Sequence, residues 1–438
     1  MLLLKNIVEK IPFKLGKILA YTPYNIRLGS EYTKFCKLIL RYENASEDEK
    51  INYTITHLNK IIAHSQKTFP FYQKLYGKSV IQIKTLSDFE NLPIITKSNV
   101  REFSKNCKGA YKLNTGGSTQ GPLSFYVDKF AWAREWAHMH YIWNLRDYNY
   151  TKKMITMMGR ELGNKPFKYN LVHNEFMLNP YIKSSEYIEP LLKLIDKENI
   201  QYFQGYPSTI YNFFKEIEDK ISSKSKDLIS SKLNSLLFTS EFPMPYMIKY
   251  LDEVWGLNNY ISWYGLSEMC VLAYDNLNNN KYKPFTTYSH VEESDNVLIG
   301  TSFHNYDMPL IRYSTEDIIK SKKTDSGLID YFEITDGRSS DYIEDFNGRK
   351  LSLTFLVGRH HPIYDIADFY QIFQSEKGFA TIFITFKGDP KIHESEAINY
   401  FDKALLKMNV KFTFKFLKTP IRTKRGKLKI RLTNKDIN

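Results

Sequence analysis

Short apolar segments alternate with amphipathic segments through the middle of this chain. Strand-length apolar runs occur at residues 154–158, 235–240, 260–265 and 296–303. Apolar residues recur at helical spacing in residues 51–66, 129–145 and 208–220. Strands that alternate with helices favour an α/β fold with a mostly parallel or mixed sheet. In such sheets ligands bind beyond the carboxyl ends of the strands.

Local signals refine this pattern. Ser208 follows Pro207 and is predicted to be the N-cap of the helix over 208–220. The polar segments 222–232 and 275–283 are predicted to be surface loops.

The pattern of apolar and polar residues changes after Asp341. Residues 379–388 and 410–417 alternate as strands, residues 394–408 have helical spacing, and 427–432 form a last short strand. We therefore predict a large N-terminal α/β domain over 1–340 and a small C-terminal α+β domain over 341–438. The boundary falls in the polar, glycine-bearing segment 336–349.

Charge admits two interpretations. The net charge of +13 fits a polyanionic partner such as nucleic acid, an anionic membrane or a nucleotide, but it also fits solvated lysine-rich surfaces. From Lys411 to the end, ten Lys or Arg residues stand against one acid, Asp436. A specific nucleic-acid partner is not expected.

The remaining composition indicates a reducing compartment. Cys36, Cys107 and Cys270 lie far apart, so neither a disulfide framework nor a cysteine metal cluster is expected. No segment approaches 18 uninterrupted apolar residues, and charged residues interrupt the apolar start of the chain. We expect a cytoplasmic protein without a transmembrane segment, in which residues 1–20 pack on their own domain or contact a membrane surface.

The loop LNTGGSTQGPLSFYVD, residues 113–128, is the first candidate site. Gly116 and Gly121 have the spacing of a phosphate-binding P-loop, but Pro122 and Leu123 replace its lysine and hydroxyl residue. Glycines nevertheless allow close backbone approach, and successive amides can surround an anion. The residues by themselves leave a phosphate loop and an ordinary turn both open.

Chemically useful side chains also follow several predicted strands. Tyr264 can stack on a flat base, and Glu268 can hold Mg²⁺; the alternative is a strand end with a buried tyrosine. The segment lacks the second glycine of a nucleophile elbow, which excludes a serine hydrolase of that type. Asp317 can accept two ribose hydroxyl bonds, although such a residue is more often part of a turn, and Arg338 can donate to a ribose or a phosphate.

Taken in order, these segments resemble the adenylate-forming enzyme superfamily. The closer match is the phenylacetate–CoA ligase-like group, especially its CapK-like capsule-biosynthesis branch. The resemblance covers most of the chain and rests on the segments TGGSTQGPL, FTSEFP, WYGLSE, GTSFHNYDMPLIRYSTEDI, GRSSDYI and RTKRGK.

The resemblance implies an AMP-forming ligase that uses Mg-ATP. In this family a small carboxylic acid attacks the α-phosphate of ATP, and the acyl adenylate then passes its acyl group to a thiol, amine or hydroxyl. CoA is one candidate acceptor, and a sugar of a surface-polysaccharide precursor is another. The resemblance also implies a multi-sheet N-terminal domain and a mobile C-terminal domain, which rotates between the two half-reactions.

Residue by residue, the resemblance assigns the nucleotide site. The residues matching the phosphate loop are Thr115, Gly117, Ser118 and Thr119. Glu241 matches the segment beside adenine, and Tyr264 would stack on the base. Ser267 would serve phosphate, and Glu268 would serve phosphate and Mg²⁺.

The remaining assignments lie towards the C-terminus. Asp317 and Arg338 would bind the ribose hydroxyls, and Asp341 would be the hinge. Lys427 would be the catalytic lysine that contacts the α-phosphate and the attacking carboxylate.

Three positions and one segment depart from the family pattern. Gln120 replaces a glycine, Gly121 stands where many members carry lysine, and Glu316 replaces the glycine before Asp317. The segment NGRKLSL replaces a pattern typical of the CoA ligases.

Two other functions stay open: a CoA ligase for an aromatic or other small acid, and a catalytically silent basic binding protein on the same fold. We expect the acid pocket to draw on residues 136–144 and 157–165.

Overall fold

A computed structural model describes residues 20–77, 79, 81–114, 123–158, 162–179, 182–243, 245–336, 342–352, 363–386, 390–405, 408–421 and 430–437. The helices are α1 Tyr24–Glu43, α2 Glu47–Thr68, α3 Pro70–Tyr76, α4 Leu86–Glu90, α5 Lys97–Ser104, α6 Ala131–Asn144, α7 Ile188–Glu198, α8 Pro207–Ile217, α9 Ser223–Lys232, α10 Pro245–Trp255, α11 Ile363–Ile366, α12 Pro390–Leu405 and α13 Asn434–Ile437. A 3₁₀ turn covers Ser184–Glu186. In the described part, no helix is long and apolar enough to cross a membrane.

A central sheet follows a two-stranded hairpin along the chain. The first ten strands are β1 Tyr111–Asn114, β2 Ser124–Val127, β3 Met154–Met157, β4 Phe167–Asn170, β5 Glu175–Leu178, β6 Tyr202–Gly205, β7 Ser235–Phe238, β8 Tyr260–Gly265, β9 Leu272–Asp275 and β10 Lys283–Pro284. The central sheet has the order β10-β9-β8-β7-β6-β3-β5-β4. Strands β5, β3, β6, β7 and β8 pair in parallel, and antiparallel strands close both edges. The predicted mixed α/β sheet is confirmed.

Helices cover both faces of the central sheet. In β7, Leu236 packs into the core formed with α7 to α10, whereas Leu237 packs into the core on the other face. Tyr202 and Phe203 of β6 divide in the same way. A strand buried on both faces is a continuous apolar run, which explains why these short segments were recognisable in the sequence.

Three further sheets, two of four strands and one of two, follow in the described part of the chain. Their strands are β11 Ser289–Ser294, β12 Val297–Ser302, β13 Tyr313–Lys323, β14 Ile329–Asp336, β15 Tyr342–Glu344, β16 Lys350–Ser352, β17 Ala367–Glu376, β18 Phe379–Phe386, β19 Lys411–Leu417 and β20 Arg431–Leu432. Strands β11 to β14 form an antiparallel sheet, and the C-terminal sheet has the order β19-β18-β17-β20. The latter has its own apolar core, which includes Ile372, Ile384 and Phe401. Residues 337–341 lie outside the described part, so the predicted boundary at Asp341 stays a prediction.

Two local expectations were wrong. Ser208 is not the N-cap of α8, because the helix begins at Pro207 and Tyr206 occupies the cap position. Residues 223–232 form α9 rather than a loop, with Ser222 accepting a hydrogen bond from the backbone N of Ser225 at 3.2 Å. The run at 296–303 is a strand, as predicted: it forms β12, which lies in the second sheet.

Candidate active site

Parallel strands β6, β7 and β8 end at one edge of the central sheet, and polar residues follow them. Glu241 lies three residues beyond β7, and its Oε2 accepts a hydrogen bond from the backbone N of Ser208, 3.3 Å away. Ser208 lies in the first turn of α8, where free backbone N–H groups and the helix dipole favour a carboxylate. Glu241 therefore ties the end of β7 to the helix that follows β6.

Tyr264 and Asp317 meet at the junction of the two N-terminal sheets. Tyr264, near the end of β8, donates a hydrogen bond from Oη to Oδ2 of Asp317 at 2.6 Å. The Tyr264 ring makes an edge contact with Phe332 of β14, with centroids 5.4 Å apart. Asp317 is buried, and its backbone N donates to Oγ1 of Thr315 at 3.1 Å. These contacts fix both the ring and the carboxylate in place.

Glu268 lies in the turn that follows β8. Its side chain is buried, and Oε1 accepts a hydrogen bond from Oη of Tyr313 at 3.0 Å. Burial, reinforced by the Glu268 carboxylate, raises the pKa of Tyr313 well above its ordinary value, so the phenol stays a hydrogen-bond donor. Ser267 lies beside Glu268 in the same turn and is half-buried.

The pKa of the Cys270 thiol reflects the charged groups around it. Burial raises the pKa of its thiol well above the ordinary value; Glu268 and Asp317 raise it further, and Lys97 lowers it. Both carboxylates and one lysine therefore lie within electrostatic reach of the same buried sulfur. The thiol therefore stays protonated, which disfavours a nucleophilic role.

Lys97 is a residue of this cluster that the sequence analysis missed. It is the first residue of α5, it is 2% exposed, and its Nζ lies 2.9 Å from Oε2 of Glu316. Nothing in the local pattern ITKSNVR separates this lysine from an ordinary surface residue. The available signal was Glu316, which occupies a position where the resembling family carries glycine.

Several predicted residues lie outside the described part of the chain. These are Thr115, Gly117, Ser118 and Thr119 of the loop, Gln120 and Gly121 beside them, Arg338, the predicted hinge Asp341 and the predicted catalytic lysine Lys427. The two ends of the loop are described: Asn114 pairs with Ser124 across the β1–β2 hairpin, and Ser124 Oγ donates to Asn114 Oδ1 at 2.8 Å. The roles assigned to these residues stay predictions.

The segments expected to line an acid pocket divide between core and edge. In α6, His138 uses both ring nitrogens, at 2.8 Å from Arg134 O and 2.9 Å from Thr287 Oγ1. Burial lowers the pKa of His138 to about 4, so it is a neutral core residue. Met158, by contrast, packs on Tyr206 just beyond the end of β6.

The C-terminal part approaches the same edge. Met408 packs on Tyr206, and Nδ2 of Asn212 in α8 donates to the backbone O of Lys350 in β16 at 2.6 Å. Arg349 and Glu216 add an ion pair of 3.6 Å. Residues from both predicted domains therefore border the ends of the parallel strands.

The described residues give limited support for metal binding. Within this part of the chain, no three His, Cys, Asp or Glu side chains are grouped so that they could hold an ion. Mg²⁺ needs less, because it commonly binds one or two carboxylates together with substrate phosphates. The buried Glu268 fits that lesser requirement.

The fold is shared with solved ligase structures. The chain is similar to 2-hydroxyisobutyryl-CoA ligase in complex with 2-HIB-AMP and CoA, with a TM-score of 0.54 and 14% identity, over 88% of this chain and 90% of that one. The acyl acid amido synthetase GH3.15 aligns over 85% of this chain and 86% of its own, with a TM-score of 0.44 and 11% identity. The predicted fold is confirmed: the chain has the fold of adenylate-forming ligases.

A curated sequence relative is more specific and covers less. The chain is 24% identical over 219 residues to Protein CapK of Staphylococcus aureus, which is 47% of this chain and 46% of that protein. The match thus spans about half the length of that relative. No family model matches the chain.

Proposed function

We propose that the protein is an AMP-forming ligase that activates a small carboxylic acid with Mg-ATP and transfers the acyl group to an acceptor. The observation that carries the proposal is the Tyr264–Asp317 hydrogen bond of 2.6 Å at the carboxyl edge of the sheet. The buried Glu268 is bonded to Tyr313 of the same strand that carries Asp317. An aromatic ring beside a fixed carboxylate suits a nucleoside, because the ring can stack on a base and the carboxylate can accept two ribose hydroxyl bonds.

The chemistry runs in two balanced steps. A carboxylate oxygen of the acid bonds to the α-phosphorus while the bond to pyrophosphate breaks. An acceptor thiol, amine or hydroxyl then bonds to the acyl carbon, AMP leaves, and the acceptor loses its proton. Mg²⁺ bound with Glu268 would offset phosphate charge, which is the chief electrostatic demand of the first step.

The remaining assignments extend this proposal to the other predicted residues. Thr115, Gly117, Ser118, Thr119 and Ser267 contact phosphate, Glu241 borders adenine, and Arg338 joins Asp317 on the ribose. Lys427 contacts the α-phosphate and the attacking carboxylate, and Asp341 is the hinge.

We further propose a cytoplasmic role in the biosynthesis of a surface polysaccharide. The support is the motif resemblance to the capsule-biosynthesis branch together with the similarity to Protein CapK. The acceptor is then a sugar amine or hydroxyl, with the thiol of CoA as the second candidate. The fold neighbour determined with CoA supports that second candidate.

A pyrophosphate-release screen of carboxylic acids, with and without CoA or sugar nucleotides, tests the activity. The acid that responds then supports an ATP–pyrophosphate exchange assay. Asp317→Ala and Lys427→Ala should each lower exchange about 100-fold or more, because each removes a contact to the nucleotide in the transition state.

Matched controls separate chemistry from folding. Asp325→Ala alters an exposed aspartate in the turn after β13, and Lys424→Ala alters another lysine of the basic tail. Both should exchange at the wild-type rate. Wild-type exchange in Asp317→Ala and Lys427→Ala would overturn the residue assignments, and no response to any acid would overturn the function.

A further inference from the structure

Strand β13 carries a bulge at the candidate site. Val297 pairs with Ile318 and Ile299 pairs with Ser314, so three residues of β13 stand opposite Leu298 alone. Thr315 fixes the first of these positions by donating from Oγ1 to Leu298 O at 2.9 Å. Bulges re-aim side chains beside active sites, and the last residue of this bulge is Asp317.

The middle residue of the bulge adopts an unfavourable conformation. Glu316 has a φ of +65°, in the left-handed region that glycine tolerates and that a residue with a Cβ pays conformational energy to enter. Such conformations persist where the surrounding structure holds them. The Glu316 side chain is 33% exposed and reaches Nζ of Lys97 at 2.9 Å.

Lys97 is also unfavourably placed by local criteria. It is buried, and it begins α5, where the helix dipole disfavours a cation. Its position is set by Ile95, whose backbone N donates to Arg312 O and whose O accepts from Ser314 N, both at 2.9 Å. Two residues that each weaken their own element therefore meet beside the bulge.

We propose that Lys97 and Glu316 are a positioning pair that holds the bulge in the shape that presents Asp317 to Tyr264. Neither residue is assigned a bond-making role. That Asp317 receives a nucleotide ribose rests on the proposed function. That the pair fixes the bulge rests on the contacts described here.

The Glu316→Gly variant distinguishes two explanations of the glutamate at this position. Either the fold merely tolerates a glutamate where glycine would fit better, or Glu316 positions Asp317 as proposed. If Glu316 is merely tolerated, glycine relieves the backbone and leaves ATP binding unchanged or improved. If the pair positions Asp317, glycine loosens the bulge and raises KM for ATP about tenfold with little change in kcat, because a binding contact is weakened.

The experiment compares Glu316→Gly, Lys97→Met and the double variant. We expect faster hydrogen–deuterium exchange in peptides covering 313–319, where Ile319 N donates to Asn296 O at 2.8 Å. We also expect similar KM values in all three variants, because one contact is lost in each. The double variant leaves no buried lysine without its partner, so it tests the proposal even if a single variant folds poorly.

A second ion pair on the same strand provides the control. Lys323 and Glu90 lie 3.1 Å apart, both are more than 40% exposed, and they also join β13 to the segment before α5. Lys323→Met with Glu90→Gln should leave both measurements at wild-type values.

An unchanged rate of hydrogen–deuterium exchange in residues 313–319 of Glu316→Gly and of the double variant would overturn the proposal. An unchanged or lower KM for ATP in these variants would overturn it as well. If the wild type activates no acid, the proposed function fails by itself. The deuterium measurement still decides whether the pair holds the bulge.

Discussion

Two ion pairs lie where the segment between residues 90 and 97 meets the second sheet, and they differ in what surrounds them. Arg312 Nη2 lies 3.0 Å from Glu292 Oε1, and both side chains are buried. Lys97 and Glu316 meet at 2.9 Å, with Glu316 partly open to solvent. Arg312 and Glu316 both have positive φ, at +50° and +65°. Backbone strain alone therefore does not mark the functional region.

The two ion pairs also differ in the hydrogen bonds that their residues and neighbours make. Besides Glu292, Arg312 donates to the backbone O of Glu90 and of Leu92, so its guanidinium joins α4 to the second sheet. Those partners are all structural. Glu316 instead immediately precedes Asp317, which contacts Tyr264. We therefore interpret the first pair as an anchor of the core and the second as a support of the site.

The largest expected effect comes from breaking the anchor. Above pH 7, where the Glu292 carboxyl is ionised in the folded protein, Arg312→Met should lower the free energy of unfolding by about 3–5 kcal/mol, because it leaves a buried carboxylate without its counter-charge. Urea denaturation followed by circular dichroism measures this difference. Arg312→Lys keeps the positive charge but loses the planar, forked guanidinium, so its free energy of unfolding should lie between those of the wild type and Arg312→Met. A loss below about 1 kcal/mol would remove the structural contrast between the pairs.

The anchor should also make stability depend on pH. Burial raises the pKa of Glu292 from 4.5 to about 7, although the Arg312 guanidinium acts in the opposite direction. Between these values the unfolded chain releases the proton while the folded chain keeps it, so this group makes stability fall as pH rises from 4.5 to 7. Below 4.5 both states hold the proton, and above 7 neither does, so its contribution is then constant.

Glu292→Gln tests this dependence. Subtracting its stability curve from that of the wild type should leave a decline confined to the window between pH 4.5 and 7. A flat difference would show that Glu292 titrates alike in both states. Because glutamine mimics the protonated form, this substitution should also cost less stability at pH 7 than Arg312→Met.

The smallest expected effect on stability comes from the exposed ion pair between Lys323 of β13 and Glu90. Lys323→Met removes the ion pair with Glu90 and should change the free energy of unfolding by less than about 1 kcal/mol, because solvent screens both charges. The same denaturation assay applies, with added salt as a second variable. A loss comparable to that of Arg312→Met would mean that burial does not distinguish these pairs.

A cavity lies at the opposite edge of the central sheet from the candidate site. A polar cavity of about 310 Å³ lies at the amino ends of β6, β7 and β8, and its lining includes Asn234 and Asn259. These amides serve the fold: Asn259 Nδ2 donates to Asn234 O at 2.8 Å, and Asn234 Nδ2 donates to Tyr202 Oη at 3.4 Å. Cavity volume alone therefore does not identify the edge of the sheet that carries the candidate site.

Much of the fold was predictable because its signals are local. Continuous apolar runs predicted β3, β7 and β8, and helical spacing predicted α2, α6 and α8. Local signals failed where two rules compete. Pro207 can begin a helix because it needs no N–H partner there, which displaced the predicted cap at Ser208. Helix α9 buries little more than Ile229, so its apolar period is too weak to recognise.

Among the described residues of the site, Glu241, Tyr264, Ser267, Glu268 and Asp317 were all named from the sequence. Their bonding partners were not. The 2.6 Å contact of Tyr264 with Asp317 spans 53 residues, and the contact of Lys97 with Glu316 spans 219. The sequence by itself determined the elements and the residue types at their ends, because period and turn chemistry act over a few residues. Only the tertiary structure decided which charges meet, because strand pairing and burial bring together residues with no local relation.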